Sequence, residues 1–141
     1  MSLVWTHEDS PVWDEDKARI VGGAEPGVFD PRFQELLPGD LVPGEWWHAE
    51  EDGRIVGYGW MDVVWGDAEI LLAVAPDARG RGAGAFILER LEQEARARGL
   101  NRVYNTVRPE HPRAEAVTRW LVGHGFVPSE DGGLQKDVHA T

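Results

Sequence analysis

The chain has no cysteine. That excludes disulfides, thiolate metal sites and a cysteine nucleophile together. Positive charge is scarce as well: 14 Lys and Arg stand against 25 Asp and Glu, a net charge of −11. A DNA or RNA partner needs a basic footprint to displace counterions, so nucleic acid is disfavoured. No apolar run approaches ~20 residues, so no membrane-spanning helix is expected. The segment Met1–Glu8 lacks the basic start and apolar stretch of a secretory leader, so the expected location is cytoplasmic. The five histidines (His7, His48, His111, His124, His139) are scattered, with no H-x-H or H-x-x-x-H pair, so a metal centre is not expected.

What remains is an ordinary globular composition, 42 % hydrophobic and 28 % charged over 141 residues. It fits one domain, residues 1–141, with enough chain for a real core. Charge is uneven along it. Residues 1–52 hold 13 acids and 3 bases, whereas residues 53–141 hold 12 acids and 11 bases. The acidic part reads either as a solvated, solubilising face or as a lip that attracts a cationic substrate.

Pro and Gly break up the first 44 residues, leaving room only for short helices at Asp14–Val21 and Pro31–Leu37, the second capped by Asp30. From Glu45 the pattern changes. Trp46–Glu50 and Arg54–Trp65 are aromatic and β-branched around Glu51-Asp52-Gly53, a hairpin. Gly66-Asp67 is a second turn, leading into the strand Ala68–Ala75, whose Ile70–Val74 stretch is apolar on both faces, as in a covered central strand. A helix is expected from Gly82 to Arg98, with Gly99 as its C-terminal cap. A strand follows at Arg102–Val107, then a helix from Pro112 or Arg113 to Val122, and closing strands at Phe126–Pro128 and Leu134–Val138. Strand, helix, strand in this order implies a crossover between two parallel strands.

The turn Pro76–Gly84 carries the most chemistry. A helix N-terminus offers unpaired N–H groups and partial positive charge, which suits a phosphate. Gly80, Gly82 and Gly84 have no Cβ and so allow close approach of the backbone, and Arg79 and Arg81 add charge. Three glycines at a helix start disfavour the helix by up to ~1 kcal/mol each, a cost that a merely connecting loop would not need. No G-x-x-x-x-G-K-[ST] is present, so a P-loop is excluded. Gly80-x-Gly82-x-x-Ala85 satisfies the loose dinucleotide pattern. However, Pro76–Arg79 separates it from its strand, and the next strand carries no acid for a ribose.

Val74-x-Pro76-Asp77-x-Arg79-Gly80-x-Gly82-x-Gly84 resembles the V-x-P-x-x-[RQ]-x-x-G-x-[GA] turn of the GNAT N-acetyltransferase superfamily. The resemblance covers roughly residues 45–128, with 1–44 as the family's variable first strand and two helices. It implies an α/β (α+β) fold: a mixed, mostly antiparallel central sheet with helices on both faces, in which the fourth and fifth family strands run parallel but splay apart. It also implies acetyl-CoA as cofactor. Backbone groups of Leu72, Ala73 and Val74 would line the acyl-pantetheine arm, with the oxyanion donor near Val74. Those of Arg79, Gly80, Arg81, Gly82, Ala83 and Gly84 would hold the pyrophosphate.

Acyl transfer to an amine needs a base, an oxyanion donor and a proton for the leaving thiolate. Without cysteine, direct transfer in a ternary complex is the expected route. Ala68-Glu69-Ile70 is similar to the histone-acetyltransferase branch, where that glutamate is the base, so Glu69 is the leading catalytic candidate; Asp62, Glu45 and His48 are weaker ones. The acid is where the chain departs from the family pattern N-x-x-A…Y-x-x-x-G-F. Counting back from Gly125-Phe126 puts Leu121 at the tyrosine position and Ala114 at the asparagine. Counting forward from Val107 puts His111 at the asparagine and Thr118 at the tyrosine. Neither gives a tyrosine. Water, His111 or His124 is left to protonate the thiolate, with Tyr104 more simply a packed strand residue. The expected reaction is acetylation of an amine on a small molecule, a cationic one if the acidic part is a lip, with a non-catalytic acyl-CoA-binding module as the alternative. The tryptophans of the hairpin, Trp46, Trp47, Trp60 and Trp65, are expected to pack the sheet, to wall a cationic acceptor or to offer a homodimer surface.

Overall fold

A computed structural model describes residues 2–21, 36–42, 44–80, 82–106, 113–129 and 133–138. Along the chain run β1 (Val4–Glu8), α1 (Glu15–Ile20), β2 (Glu45–Glu51), β3 (Arg54–Val64), β4 (Asp67–Val74), α2 (Ala83–Ala97), β5 (Arg102–Asn105), α3 (Ala114–Gly123), β6 (Val127–Pro128) and β7 (Leu134–Asp137). Among the described residues the strands form one seven-stranded sheet in the order β1-β2-β3-β4-β5-β7-β6. Among the described strands only β4 and β5 pair in parallel. The expected mixed α/β fold is therefore observed, and the helix expected at Pro31–Leu37 lies largely outside the described residues. Among the described residues no helix is long and apolar enough to cross a membrane.

The β2–β3 and β3–β4 hairpins each turn on two residues. Asp52 and Gly53 have φ of 52° and 78°, and Trp65 and Gly66 have 51° and 82°. Positive φ at both central positions matches the right-handed twist of the flanking strands. The second turn thus sits one residue earlier than Gly66-Asp67, and Asp67 opens β4. Trp65 takes a left-handed conformation that a bulky side chain tolerates poorly, and its ring is exposed.

The two faces of the sheet carry different helices. In β3 the residues Gly57, Gly59 and Met61 share a face with Val74, Leu72 and Ile70 of β4. A Cβ on Gly57 would lie 2.6 Å from Ile87 Cδ1 and 2.8 Å from the Ala73 carbonyl oxygen; one on Gly59 would lie 2.8 Å from Trp5. These glycines let α2 settle directly on β3 and β4, burying Ile87, Leu88 and Leu91 completely. On the opposite face lie Trp46, Tyr58 and Trp60, and there α1 brings in Lys17. The Lys17 ammonium is buried, 2.6 Å from Glu8 and 3.2 Å from Asp14, and lies over the rings of Trp46 and Tyr58. A buried cation is tolerable only with such partners.

Gly57→Ala should destabilise the protein by about 1–3 kcal/mol, because the added methyl overlaps a backbone carbonyl that cannot swing aside. A urea denaturation midpoint equal to that of the parent protein would show that Gly57 is not hemmed in by the Ala73 carbonyl and Ile87 as described.

Candidate active site

The parallel ladder is short. It runs through Asp67↔Arg102, Ala68↔Val103 and Glu69↔Tyr104 and then stops. At the next position the Asn105 side-chain amide donates to the Ile70 carbonyl oxygen at 2.8 Å. Ala75 donates its amide to the Val56 carbonyl at 2.7 Å, on the β3 side. Backbone groups alternate sides along an antiparallel strand. Leu71 and Ala73 therefore turn theirs to β3, while Leu72 and Val74 turn theirs away, towards the side that β5 has left. Of the three residues expected to line this edge, Leu72 and Val74 thus direct N–H and C=O into the gap, and Ala73 spends its own on the sheet.

Above the gap the chain makes a single 3-10 turn at Pro76–Ala78. Asp77 in that turn pairs with Arg54 at 2.6 Å, which ties the turn to the start of β3. Arg79 reaches back, its Nε donating to the Val74 carbonyl oxygen at 3.4 Å. Gly80 and Gly82 have φ of 79° and 87°, with open space where a Cβ would be. Gly82 caps α2 without a side-chain hydrogen bond, and the first turn of α2 holds no acid. The leading N–H groups of α2 are thus left for an anion. Ala83 is buried beneath the turn, and Arg81 lies outside the described residues.

Gly84 introduces a residue that the sequence did not single out. Trp120 of α3 and Val74 stand 3.5 and 3.8 Å from the position of a Gly84 Cβ. The Trp120 indole therefore flanks both the turn and the end of β4. Tryptophan at half-buried helix positions is common, and only the crossing of α3 over Gly84 distinguishes this one. His124 packs on Trp120 at 4.4 Å between ring centroids, and its Nδ1 is 2.8 Å from the Trp120 carbonyl oxygen. A carbonyl only accepts, so Nδ1 carries a proton and Nε2 is the nitrogen turned away from this bond. His111 lies outside the described residues. Leu121 is buried and Thr118 partly so.

The topology sorts the carboxylates. Glu69 pairs with Asp62 across β3–β4 and with Tyr104 across β4–β5. The three lie in a row on the α1 face, at the last rung before the gap. Glu45 is elsewhere: both of its oxygens bind the Arg98 guanidinium at the end of α2. That hydrogen bond and the Arg98 charge outweigh burial and hold the Glu45 carboxyl below its usual range, so it is a poor base. His48 is also committed, with Glu8 at 2.6 Å from Nδ1 and Glu50 at 3.0 Å from Nε2. The cation over Trp46 is the protein's own Lys17, and the one over Trp47 is its own Arg98.

Known proteins share the family sequence pattern and the fold. A family model described as the acetyltransferase (GNAT) family matches residues 13–121. An amino-acid acetyltransferase of Ralstonia nicotianae is 33 % identical over 132 residues, covering 87 % of this chain and 27 % of its own length. An L-2,4-diaminobutyric acid acetyltransferase of Nocardia farcinica is 32 % identical over 107 residues, covering 70 % of this chain and 55 % of its own. The chain thus spans only part of the length of these relatives. Among solved structures, the ribosomal-protein-S18-alanine N-acetyltransferase of Escherichia coli superposes with a TM-score of 0.67 at 20 % identity, over 99 % of this chain and 96 % of that one. A PaiA N-acetyltransferase of Thermoplasma acidophilum, solved with coenzyme A, gives 0.58 at 15 % identity, over 65 % of this chain and 59 % of that one. At these identities the structures show a shared fold.

The Glu45–Arg98 pair makes a pH-dependent contribution. With the folded pKa lowered, its stabilisation is present above the ordinary glutamate value of about 4.3. It is lost as pH falls through the lowered folded value. The difference in stability between the parent protein and Glu45→Gln should therefore be at most about 1 kcal/mol at neutral pH, since both side chains are partly open to solvent and screened by it. It should shrink towards zero in acid. Urea titrations over a pH series check this; a difference that grows on acidification would contradict it.

Proposed function

The chain belongs to the acetyltransferase (GNAT) family, and from that premise we propose that it transfers an acetyl group from acetyl-CoA to the amine of a small molecule. The observation that carries this reading is the gap between β4 and β5, roofed by the turn Pro76–Gly84. Slot-facing amides and carbonyls of Leu72 and Val74 match the alternating amides of a pantetheine arm. The uncapped start of α2, with Arg79, Gly80, Gly82, Ala83 and Gly84, suits a pyrophosphate, and Arg81 is proposed with them. Residues 1–141 are proposed to act as one such domain.

In this reading Val74 N–H is the donor to the thioester oxygen as it gains charge; a fixed backbone dipole needs no reorganisation there. Glu69, at the rung where the strands part, takes a proton from the acceptor's ammonium, directly or through water, which frees the neutral amine to attack the thioester. Transfer is direct, in a ternary complex, since no cysteine exists to carry the acyl group. The thiolate is left to water or a histidine. Tyr58, one of the two tyrosines, is buried with its hydroxyl unpaired. Burial, then Asp14 and Glu8, push its pKa up, so it does not supply an ionised group. For the acceptor, the carboxylates of Asp62 and Glu69 on one face favour a cationic amine, and the Nocardia relative is named for a diamino acid. A cytoplasmic location and a homodimer belong to the same proposal.

The test is release of free thiol from acetyl-CoA over a panel of amino acids and diamines. Thermal stabilisation by acetyl-CoA without thiol release would favour a binding module, and stabilisation by NAD but not by coenzyme A would overturn the reading. Glu69→Gln should leave coenzyme A affinity unchanged and lower kcat by about 10²-fold or more. Unchanged kinetics would remove Glu69 from the mechanism.

A further inference from the structure

Asn105 occupies a position that the ladder itself would ordinarily fill. In a parallel pair the hydrogen bonds recur at even spacing along the strands. With Glu69 opposite Tyr104, the bonds already made flank Tyr104, and the next donor to the Ile70 carbonyl would be the main-chain amide of Thr106. Instead the Asn105 side chain donates to that oxygen at 2.8 Å. An amide nitrogen rather than its oxygen must face a carbonyl, so the orientation of the Asn105 group is fixed by its partner. The Asn105 backbone, meanwhile, is held on the other side by β7, opposite Leu134. Thr106 is exposed and no longer in the strand.

We propose that Asn105 is a positioning residue that sets where the slot begins, its side-chain amide replacing the Thr106 main-chain amide and stopping β4 and β5 from pairing one step further. A ladder extended by one rung would draw β5 towards Leu72, whose amide and carbonyl face the gap. The substitution of a side chain for a backbone donor satisfies the Ile70 carbonyl, which would otherwise be a half-buried unpaired group. The strands can therefore part without leaving that acceptor unsatisfied. The link to coenzyme A rests on the acetyl-CoA reading above; the clamp itself does not.

Two variants test it. Asn105→Leu removes the donor, and Asn105→Asp keeps the shape while removing it at neutral pH, so one remains informative if the other fails to fold. Two readouts are taken on each: hydrogen exchange at the Thr106 amide and calorimetric titration with coenzyme A. In the parent protein the Thr106 amide should exchange freely. In the variants it should take over the Ile70 carbonyl and slow by about tenfold or more. Coenzyme A affinity should fall by about tenfold while Asn105→Gln, which keeps a donor, retains more of it. Thr106 exchange unchanged in a folded variant overturns the clamp, and protected Thr106 with unaltered coenzyme A affinity overturns its positioning role. If the parent protein binds no coenzyme A, the acetyl-CoA reading fails separately, and Thr106 exchange still decides the clamp.

Discussion

One hydrogen bond sits at the branch point of this structure: the Asn105 amide to the Ile70 carbonyl, where the only described parallel ladder ends. Below it the sheet is continuous and closed. Above it β4 keeps its bonds to β3 but has no described strand on its other edge, so Leu72 and Val74 face outwards. A backbone edge left open in a sheet interior is costly unless something fills it. Here the open edge leads straight up to a helix start that is itself uncapped. Two sets of unpaired donors lie in line, one for amides and one for an anion, and that alignment is the basis for the proposed acetyl-CoA site.

The alignment depends on α2 lying close to the sheet. Gly57 and Gly59 provide the space, and Ile87 and Leu91 fill it. The hydrophobic contact fixes the height of the helix, and the height fixes where its N-terminus meets the end of β4. On the other face, Lys17 draws Glu8 and Asp14 together beneath α1, with Glu8 also bound by His48. The acids of the N-terminal part are thus partly neutralised within the fold. The carboxylates that stand beside the gap are Asp62 and Glu69, from the part of the sequence after residue 52.

The elements that local chemistry dictates were legible in the sequence. Asp52-Gly53 specified a hairpin, the doubly apolar run Ile70–Val74 a central strand, and Gly82 and Gly99 the ends of α2. The second turn was displaced by one residue, because Trp65 rather than Asp67 takes the left-handed position. Strand β1 was anticipated from the family but not placed, since Val4–Glu8 has no flanking turn chemistry of its own. The turn Arg79–Gly84 was readable because glycine has few reasons to open a helix. Asn105, Trp120 and the capture of Glu45 by Arg98 were not, because each depends on residues 35 or more positions apart. Spacing along a chain does not encode such pairs; the sheet order does.

The most direct measurement is residue-resolved hydrogen exchange with and without acetyl-CoA. Bound acetyl-CoA should slow exchange at the amides of Leu72 and Val74 and at those of Gly80, Gly82, Ala83 and Gly84. The amides of Leu71 and Ala73, already bonded to β3, should be little changed. Stabilisation by acetyl-CoA with no protection at these outward-facing amides would contradict it.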